Sequence, residues 1–195
     1  MTCVVAIAHE GHVHIGADSA GTDGALRQTI RADEKVFVLG PFVMGFTSSF
    51  RMGQLLRYKL TVAEQPSTLS DLEFLHTWFI DAVRTTLKDG GYSKTESNVE
   101  TGGCFLLGYK GQLYQVESDF QLGRPVQPYA AIGCGAEYSL GALDLMAKTG
   151  WKDPDQAIRQ AIDVAAYRSA GVAGPVVIVK GGSATPTTST PGGRK

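Results

Sequence analysis

The sequence opens with MTCVVAIAHEGHVHIGAD, residues 1–18, and this stretch predicts a β-hairpin. The short apolar run at residues 3–8 is typical of a buried strand. Gly11 marks a turn, and the run at residues 13–18 predicts a second strand that returns along the first. We therefore expect the hairpin to bring Asp18 back toward Thr2.

Thr2 lies directly behind the initiator Met1. Removal of Met1, which is usual before a small residue, would leave Thr2 with both a free α-amine and a hydroxyl. An alcohol is a weak nucleophile at neutral pH and needs a nearby proton acceptor. An α-amine, with a pKa near ~7.7–8.0, can serve as that acceptor. Many proteins begin Met-Thr, so the weight of Thr2 depends on the residues that follow it.

Charged and small residues downstream supply the other parts that such a nucleophile needs. Lys35, at the start of a predicted strand, is a candidate cation that would lower the pKa of the Thr2 hydroxyl, and Asp18 would hold it by a charged hydrogen bond. The turn at residues 47–49, which includes Ser48 and opens a predicted helix, could aim a backbone N–H at an oxyanion. Taken singly, Asp18 could instead stabilise a turn, and Lys35 could be an exposed strand-end lysine.

A set of motifs in this order and spacing resembles the proteasome β-subunit family, most closely its bacterial HslV branch, over roughly residues 2–180. That branch also begins at a Thr behind Met without a propeptide. The segments that carry the resemblance are Thr2, Gly16-Ala17-Asp18-Ser19, Thr22, Lys35-Val36-Phe37, Gly45-Phe46-Thr47-Ser48 and Ile132-Gly133-Cys134-Gly135.

The resemblance implies a substrate cleft that is lined by Thr22, Gly45, Phe46 and Thr47. Thr22 would pair with the substrate backbone as with an added strand. Phe46 would lie near the floor of the pocket for the residue before the cleaved bond. An aromatic residue at a strand end is more often part of the core.

The sequence departs from the family pattern at three positions around the implied site. Ser48 replaces a Gly that is common at the oxyanion turn, which would keep the amide but tighten the approach. Cys134 replaces a Ser that supports the Thr amine, and a thiol is a weaker hydrogen-bond partner. Ser169 stands where proteasome subunits commonly carry Asp, although the HslV branch departs there as well.

Strands alternate along the chain with pairs of helices, which predicts an α+β fold with a mostly antiparallel sheet. The resemblance implies a four-layer αββα sandwich of two such sheets, of the N-terminal nucleophile (Ntn) hydrolase type. Residues 1–180 would form a single domain. Residues 181–195 are rich in Thr, Pro, Gly and Ser, and we predict a disordered tail there.

Composition narrows the range of partners. The 195 residues carry a net charge of -1, which gives no electrostatic case for nucleic acid or an acidic membrane surface. Neither a membrane span nor a signal peptide is predicted. Three cysteines in mostly apolar runs indicate free thiols and a cytoplasmic protein. His9, His12 and His14 do not have metal-ligand spacing, so no metal and no cofactor are predicted.

Three functions remain open from the sequence. The first is a threonine-type endopeptidase subunit that forms a homo-oligomeric ring, acts on peptides or unfolded polypeptide, and works with an ATPase unfoldase if it follows the HslV pattern. The second is a stand-alone Ntn amidohydrolase acting on a small amide. The third, suggested by Ser48, Cys134 and Ser169, is a non-catalytic ring subunit or scaffold.

Overall fold

The computed structural model describes residues 1–25 and 27–182. Its strands, numbered in chain order, are β1 (Cys3–His9), β2 (His12–Ala17), β3 (Ala20–Thr22), β4 (Gln28–Ile30), β5 (Val36–Leu39), β6 (Phe42–Phe46), β7 (Lys94–Glu96), β8 (Val99–Thr101), β9 (Phe105–Tyr109), β10 (Gln112–Val116), β11 (Leu122–Gly123), β12 (Tyr129–Gly133) and β13 (Val177–Gly181). Its helices are α1 (Phe50–Tyr58), α2 (Asp71–Phe74), α3 (Ile80–Asp89), α4 (Ala136–Thr149) and α5 (Pro154–Arg168), and a π-helical segment (Leu75–Phe79) joins α2 to α3.

Two antiparallel sheets form the centre of the molecule. One has four strands in the order β12-β1-β2-β13, and the other has five in the order β11-β10-β9-β6-β5. The predicted hairpin is β1-β2, in which Val4 lies opposite Ala17. This register places Asp18 beside the start of β1, where its amide donates a hydrogen bond to the carbonyl of Cys3 at 3.2 Å.

Three clusters of buried apolar side chains separate four layers. One cluster fills the space between the two sheets, with members such as Val4, Ile15 and Leu106. A second packs the five-stranded sheet against α1, α2 and α3. A third packs the four-stranded sheet against α4 and α5. The predicted α+β class and the αββα sandwich of two antiparallel sheets are confirmed.

Helix-capping residues behave as their sequence pattern predicts. Ser70 and Glu73 form a reciprocal capping box at the start of α2. Asp153 caps α5, where its carboxylate accepts from the amide of Asp155 at 3.0 Å and Pro154 occupies the first turn. These caps satisfy backbone amides that the first turn of a helix leaves without partners.

The polar connections contain more regular structure than the sequence indicates. Residues 92–103, whose polar sequence predicts a loop, include the hairpin β7-β8. Residues 20–32 predict a loop with a short strand at residues 28–31, which the structure has as β4, and β3 pairs with it. Such short strands are mostly exposed and lack the alternation of apolar residues that marks a half-buried strand. Strand β13 ends at Gly181, which the sequence assigned to the tail, and residues 183–195 lie outside the described part of the chain.

Within residues 1–25 and 27–182, no helix is long and apolar enough to cross a membrane.

Candidate active site

The carboxylate of Asp18 joins four separate segments of the chain. Its Oδ1 accepts from the amide of Cys3 at 2.9 Å and from Nζ of Lys35 at 2.8 Å. Its Oδ2 accepts from the amides of Ala20 at 3.0 Å and Ala173 at 3.3 Å. Hydrogen bonds of this kind to a carboxylate stabilise its charged form. Asp18 therefore holds the residue after Thr2 and the Lys35 ammonium on a single oxygen.

Lys35 is a buried cation. Its side chain is 1% exposed, and Nζ also donates to the carbonyl of Ala20 at 2.6 Å. Burial lowers its pKa from 10.5, while the adjacent Asp18 carboxylate acts in the opposite direction and favours the ammonium. An ammonium has three donors, and among the described residues Asp18 and Ala20 take two of them. The remaining N–H is available to a group that enters the site.

Thr2 is buried directly before β1, with Met1 still attached. Its hydroxyl donates to the carbonyl of Met1 at 2.6 Å. Its nitrogen, here a peptide amide, donates to Sγ of Cys134 at 3.3 Å. Cys134 in turn donates to the carbonyl of Thr2 at 3.4 Å. The sulfur therefore contacts the atom that becomes the α-amine once Met1 is removed.

Cys134 lies in the turn between β12 and α4, and two neighbours fix its position. Ser169, just after α5, donates from its hydroxyl to Sγ of Cys134 at 3.5 Å. Gly133 has a φ of 96°, and a Cβ placed on it would lie 2.2 Å from the carbonyl oxygen of Thr2 and 3.3 Å from Oγ1 of Thr47. Only a residue without a side chain permits this close approach. The turn thus brings Cys134, Thr2 and Thr47 together.

The turn at residues 47–49 has the geometry of a donor site. Ser48 has a φ of 68°, in the left-handed region that favours Gly, and its hydroxyl accepts from the amide of Cys104 at 3.1 Å. The amide of Thr47 donates to the carbonyl of Cys104 at 3.1 Å. Among the described residues the amide of Ser48 has no hydrogen-bond partner. Ser48, rather than Thr47, is the candidate oxyanion donor.

The residues predicted to line the substrate cleft lie in two different environments. Thr22 on β3 borders an open cleft, and its Oγ1 is buried without a partner among the described residues. Gly45 lies between the sheets, where an added Cβ would approach Ile15 to 2.6 Å. Phe46 is 4% exposed and belongs to the core beneath α1, with its ring over Gly53. A substrate contact of Gly45 or Phe46 stays a prediction.

Two other features lie apart from this cluster. A larger cleft of about 720 Å³ runs between α1 and α3. It contains none of the predicted site residues.

His14 Nδ1 lies 2.6 Å from Asp155 Oδ1, and the described residues include no group of three His, Cys, Asp or Glu side chains that could hold a metal ion.

Several solved structures share this architecture. BPH from Thiobacillus denitrificans, in complex with epoxomicin, superposes with a TM-score of 0.76 at 19% sequence identity, covering 95% of this chain and 100% of that one. Eukaryotic HslV from Trypanosoma brucei gives a TM-score of 0.66 at 14% identity, covering 92% and 98%. Anbu, described as an ancestral beta-subunit, from Yersinia bercovieri gives 0.65 at 17% identity, covering 92% and 81%.

The chain has the proteasome-like fold. The resemblance read from its sequence motifs is therefore confirmed at the level of the fold. No family model matches the sequence, and no curated protein matches it. At sequence identities of 14–19%, the match with these structures shows that the chain has their fold. It does not show which residues of this chain are catalytic.

Sequence reasoning missed most of the backbone groups that build the site. The amides of Ala20 and Ala173 and the carbonyl of Ala20 bind Asp18 and Lys35, yet an alanine carries no side-chain signature. Next to Asp18, the hydroxyl of Ser19 donates to another backbone group, the carbonyl of Pro175, at 2.7 Å. Only Gly133 had a usable signal, because a Gly beside a predicted site residue often marks close backbone approach.

Proposed function

We propose that this protein is an N-terminal threonine peptidase whose nucleophile is Thr2 after loss of Met1. The observation that carries the proposal is the shared oxygen of Asp18, which binds both the amide of Cys3 and the ammonium of Lys35. Cys3 follows Thr2 directly, so the buried cation lies next to the residue that would react. The fold agrees, because BPH, which binds epoxomicin, has the same architecture.

The reaction would proceed in two steps on Thr2. In the first, Oγ1 attacks the amide carbonyl carbon and its proton passes to the α-amine, directly or through water. The C–N bond then breaks, and the leaving amine takes that proton, which leaves an ester on Oγ1. In the second step, water hydrolyses the ester and restores the hydroxyl. The free Lys35 N–H would stabilise negative charge that develops on Oγ1.

The amide of Ser48 would stabilise the tetrahedral intermediate. A preorganised backbone N–H aimed at the developing oxyanion typically contributes about 10²–10³ in rate. Ser48 has a φ of 68°, and its amide has no hydrogen-bond partner in the described part of the chain. The free edge of β3 beside it would pair with an extended peptide.

Loss of Met1 is a requirement of this mechanism. While Met1 is attached, the nitrogen of Thr2 is an amide that cannot accept a proton, and the hydroxyl is bound to the Met1 carbonyl. Removal of Met1 would free both groups at once. Met1 is 47% exposed, which leaves it accessible to an aminopeptidase.

Assembly into a homo-oligomeric ring belongs to the same proposal. Large apolar side chains are exposed on α4 and α5, which cover one face of the sandwich; they are Tyr138, Leu145, Val164 and Tyr167. In a ring, they would supply apolar contact area to a neighbouring subunit. A closed ring would restrict the sites to peptides and unfolded polypeptide, which an ATPase unfoldase could deliver. Light scattering after size exclusion would separate a ring from the stand-alone amidohydrolase.

The test is intact mass before and after incubation with a peptide epoxyketone, which reacts with a hydroxyl and an amine on one residue. We expect loss of Met1 and a single adduct, absent in Thr2→Ala and present in the matched variant Thr61→Ala. Epoxomicin, the compound in the BPH structure, is a second probe. Retained Met1, or loss of Met1 with no adduct, would overturn the proposal.

One observation favours a non-catalytic scaffold as the second candidate. The group in contact with the nitrogen of Thr2 is the thiol of Cys134, a weak hydrogen-bond partner, and the hydroxyl of Ser169 contacts that sulfur. Loss of Met1 without any adduct, in a chain that still assembles, would support the scaffold.

A further inference from the structure

An open cleft of about 270 Å³ adjoins the candidate active site. Strands β3 and β4 and the start of α1 form its walls, which include Gly21, Thr22, Arg31 and Phe50. It shares a wall with the site, because the Phe50 ring centroid lies 5.7 Å from Nζ of Lys35. Gly21 also follows Ala20, whose carbonyl binds that ammonium. A side chain next to a bond cleaved at Thr2 would therefore find this cleft within reach.

Arg31 is held in the wall of the cleft from three directions. Its Nε and Nη2 donate to the two oxygens of Asp33 at 2.7 and 2.6 Å. Its guanidinium carbon lies 3.9 Å from the centroid of the Phe50 ring, a cation–π contact. Its backbone amide donates to the carbonyl of Ser19 at 2.9 Å. A guanidinium fixed in this way loses little further freedom when it binds a ligand.

The cleft contains polar groups that have no partner among the described residues. Nη1 of Arg31 makes no hydrogen bond there, because Asp33 occupies only Nε and Nη2. Oγ1 of Thr22 is buried and unpartnered as well. A buried polar atom without a partner is uncommon and costs free energy until a ligand or water satisfies it. Both groups can donate to a carboxylate.

The donors of the lining favour a group that accepts hydrogen bonds. Each arginine in the wall is paired with a carboxylate, Arg27 with Asp23 at 2.8 Å and Arg31 with Asp33 at 2.6 Å, so the lining offers unpartnered donors rather than excess positive charge. The face of Phe50 that would offer an apolar surface is covered by the Arg31 guanidinium. A purely apolar side chain would therefore leave donors unsatisfied, while a carboxylate would pair with them.

We propose that this cleft receives the substrate side chain directly before the cleaved bond, and that Arg31 selects Asp or Glu there. This inference rests on the proposed function, since it names the substrate class of the same site. Arg31 is thus a specificity-determining residue, while Asp33 and Phe50 position it.

The experiment compares three peptide epoxyketones that differ only in the residue next to the warhead: Glu, Gln or Leu. The Gln probe has the shape of the Glu probe without the charge. Because a hydrogen bond to a charged group is stronger than one to a neutral group, we expect the adduct with Glu to form about tenfold or more faster than with Gln. The Leu probe should be slower still.

Two arginine variants serve as the matched pair. In Arg31→Gln the rate with the Glu probe should fall to that with the Gln probe, while the Gln rate stays within about twofold. Arg84→Gln is the control, because Arg84 also binds carboxylates, Glu100 and Asp81, but lies on α3. That variant should keep the full preference for Glu.

The outcomes separate this inference from the proposed function. Adducts with all three probes but no preference for Glu, or a preference that survives in Arg31→Gln, would overturn the specificity assignment and leave Thr2 as nucleophile. No adduct with any probe would overturn the proposed function and the specificity with it.

Discussion

Nζ of Lys35 lies 2.8 Å from Oδ1 of Asp18, and the two side chains are 1% and 0% exposed. The pair is asymmetric in its other partners. Asp18 also accepts from three backbone amides, whereas Lys35 otherwise donates only to the Ala20 carbonyl among the described residues. Because an unpaired buried charge is costly, the two partners should not be equally tolerant of substitution.

Removal of the carboxylate should destabilise the fold more than removal of the ammonium. Asp18→Asn leaves the buried Lys35 ammonium with neutral acceptors only, and we expect a cost of about 3–5 kcal/mol in the free energy of unfolding. Lys35→Met leaves a carboxylate that keeps its amide donors, so its cost should be smaller. Urea unfolding of each variant measures both. Arg84→Gln, which breaks an exposed pair, should not change the midpoint. Equal losses in the two buried variants would contradict the asymmetry.

Activity and stability should respond in opposite directions to alkaline pH. Burial lowers the pKa of Lys35 below 10.5, so the cation that we propose for the site is lost at a lower pH than the charge of an ordinary lysine would be. Between the folded pKa and 10.5 the unfolded chain binds more protons at this position, so stability rises with pH there. The rate of epoxyketone adduct formation should fall through this window. The unfolding midpoint of the parent chain, measured against Lys35→Met, should rise. A midpoint difference that falls instead would reverse the assigned pKa direction.

The Cys134 sulfur should be replaceable by a hydroxyl but not by a methyl group. Cys134→Ser keeps a donor and acceptor beside the Thr2 nitrogen and Ser169, and we expect the adduct rate to be equal or higher. Cys134→Val removes both contacts, and the rate should fall about tenfold, the equivalent of one hydrogen bond of about 1.4 kcal/mol. Unfolding curves check that both variants fold. A Val variant with the parent rate would remove Cys134 from the site.

Ser48 offers a test of the oxyanion turn through backbone conformation. Ser48→Gly relieves a left-handed backbone, worth about 1–2 kcal/mol, but loses the hydrogen bond to the Cys104 amide. These effects oppose each other, so the unfolding midpoint should change little. Ser48→Ala loses the hydrogen bond and keeps the strain, and should be less stable than Ser48→Gly. Both retain the backbone amide, so both should form the epoxyketone adduct. Loss of the adduct in the Gly variant would argue against that amide as donor.

Gly133 should tolerate no side chain. In Gly133→Ala the new Cβ meets the Thr2 carbonyl oxygen at 2.2 Å, and the φ of 96° adds strain of about 1–3 kcal/mol. We expect both stability and the adduct rate to fall, because Thr2 itself must move. Gly123→Ala on β11 is the control, since a Cβ there meets nothing within 4 Å. Parent-like rates in Gly133→Ala would mean that the turn can shift without moving Thr2.

Several strands and helices of the fold could be predicted from local sequence patterns. The apolar runs on either side of Gly11 predicted the β1-β2 hairpin, and the pairing of Ser70 with Glu73 predicted the start of α2. These signals are reliable because the side-chain period of a strand or helix, and the chemistry of a cap, act over a few residues. Strands β4 and β7 carry no such period, since all of their residues are exposed.

For the candidate site, the sequence and the tertiary structure each determined a different part. The sequence by itself determined which side chains could do chemistry, because Thr2, Asp18 and Lys35 have the functional groups that the reaction needs. The tertiary structure decided which atoms meet: Asp18 bonds to Ala173, 155 residues away in sequence, and Phe46 turns into the core while Arg31 and Phe50 border the open cleft. The physical reason is that amides and carbonyls are common to every residue, so only the packing of the sheets determines which of them reach a buried carboxylate.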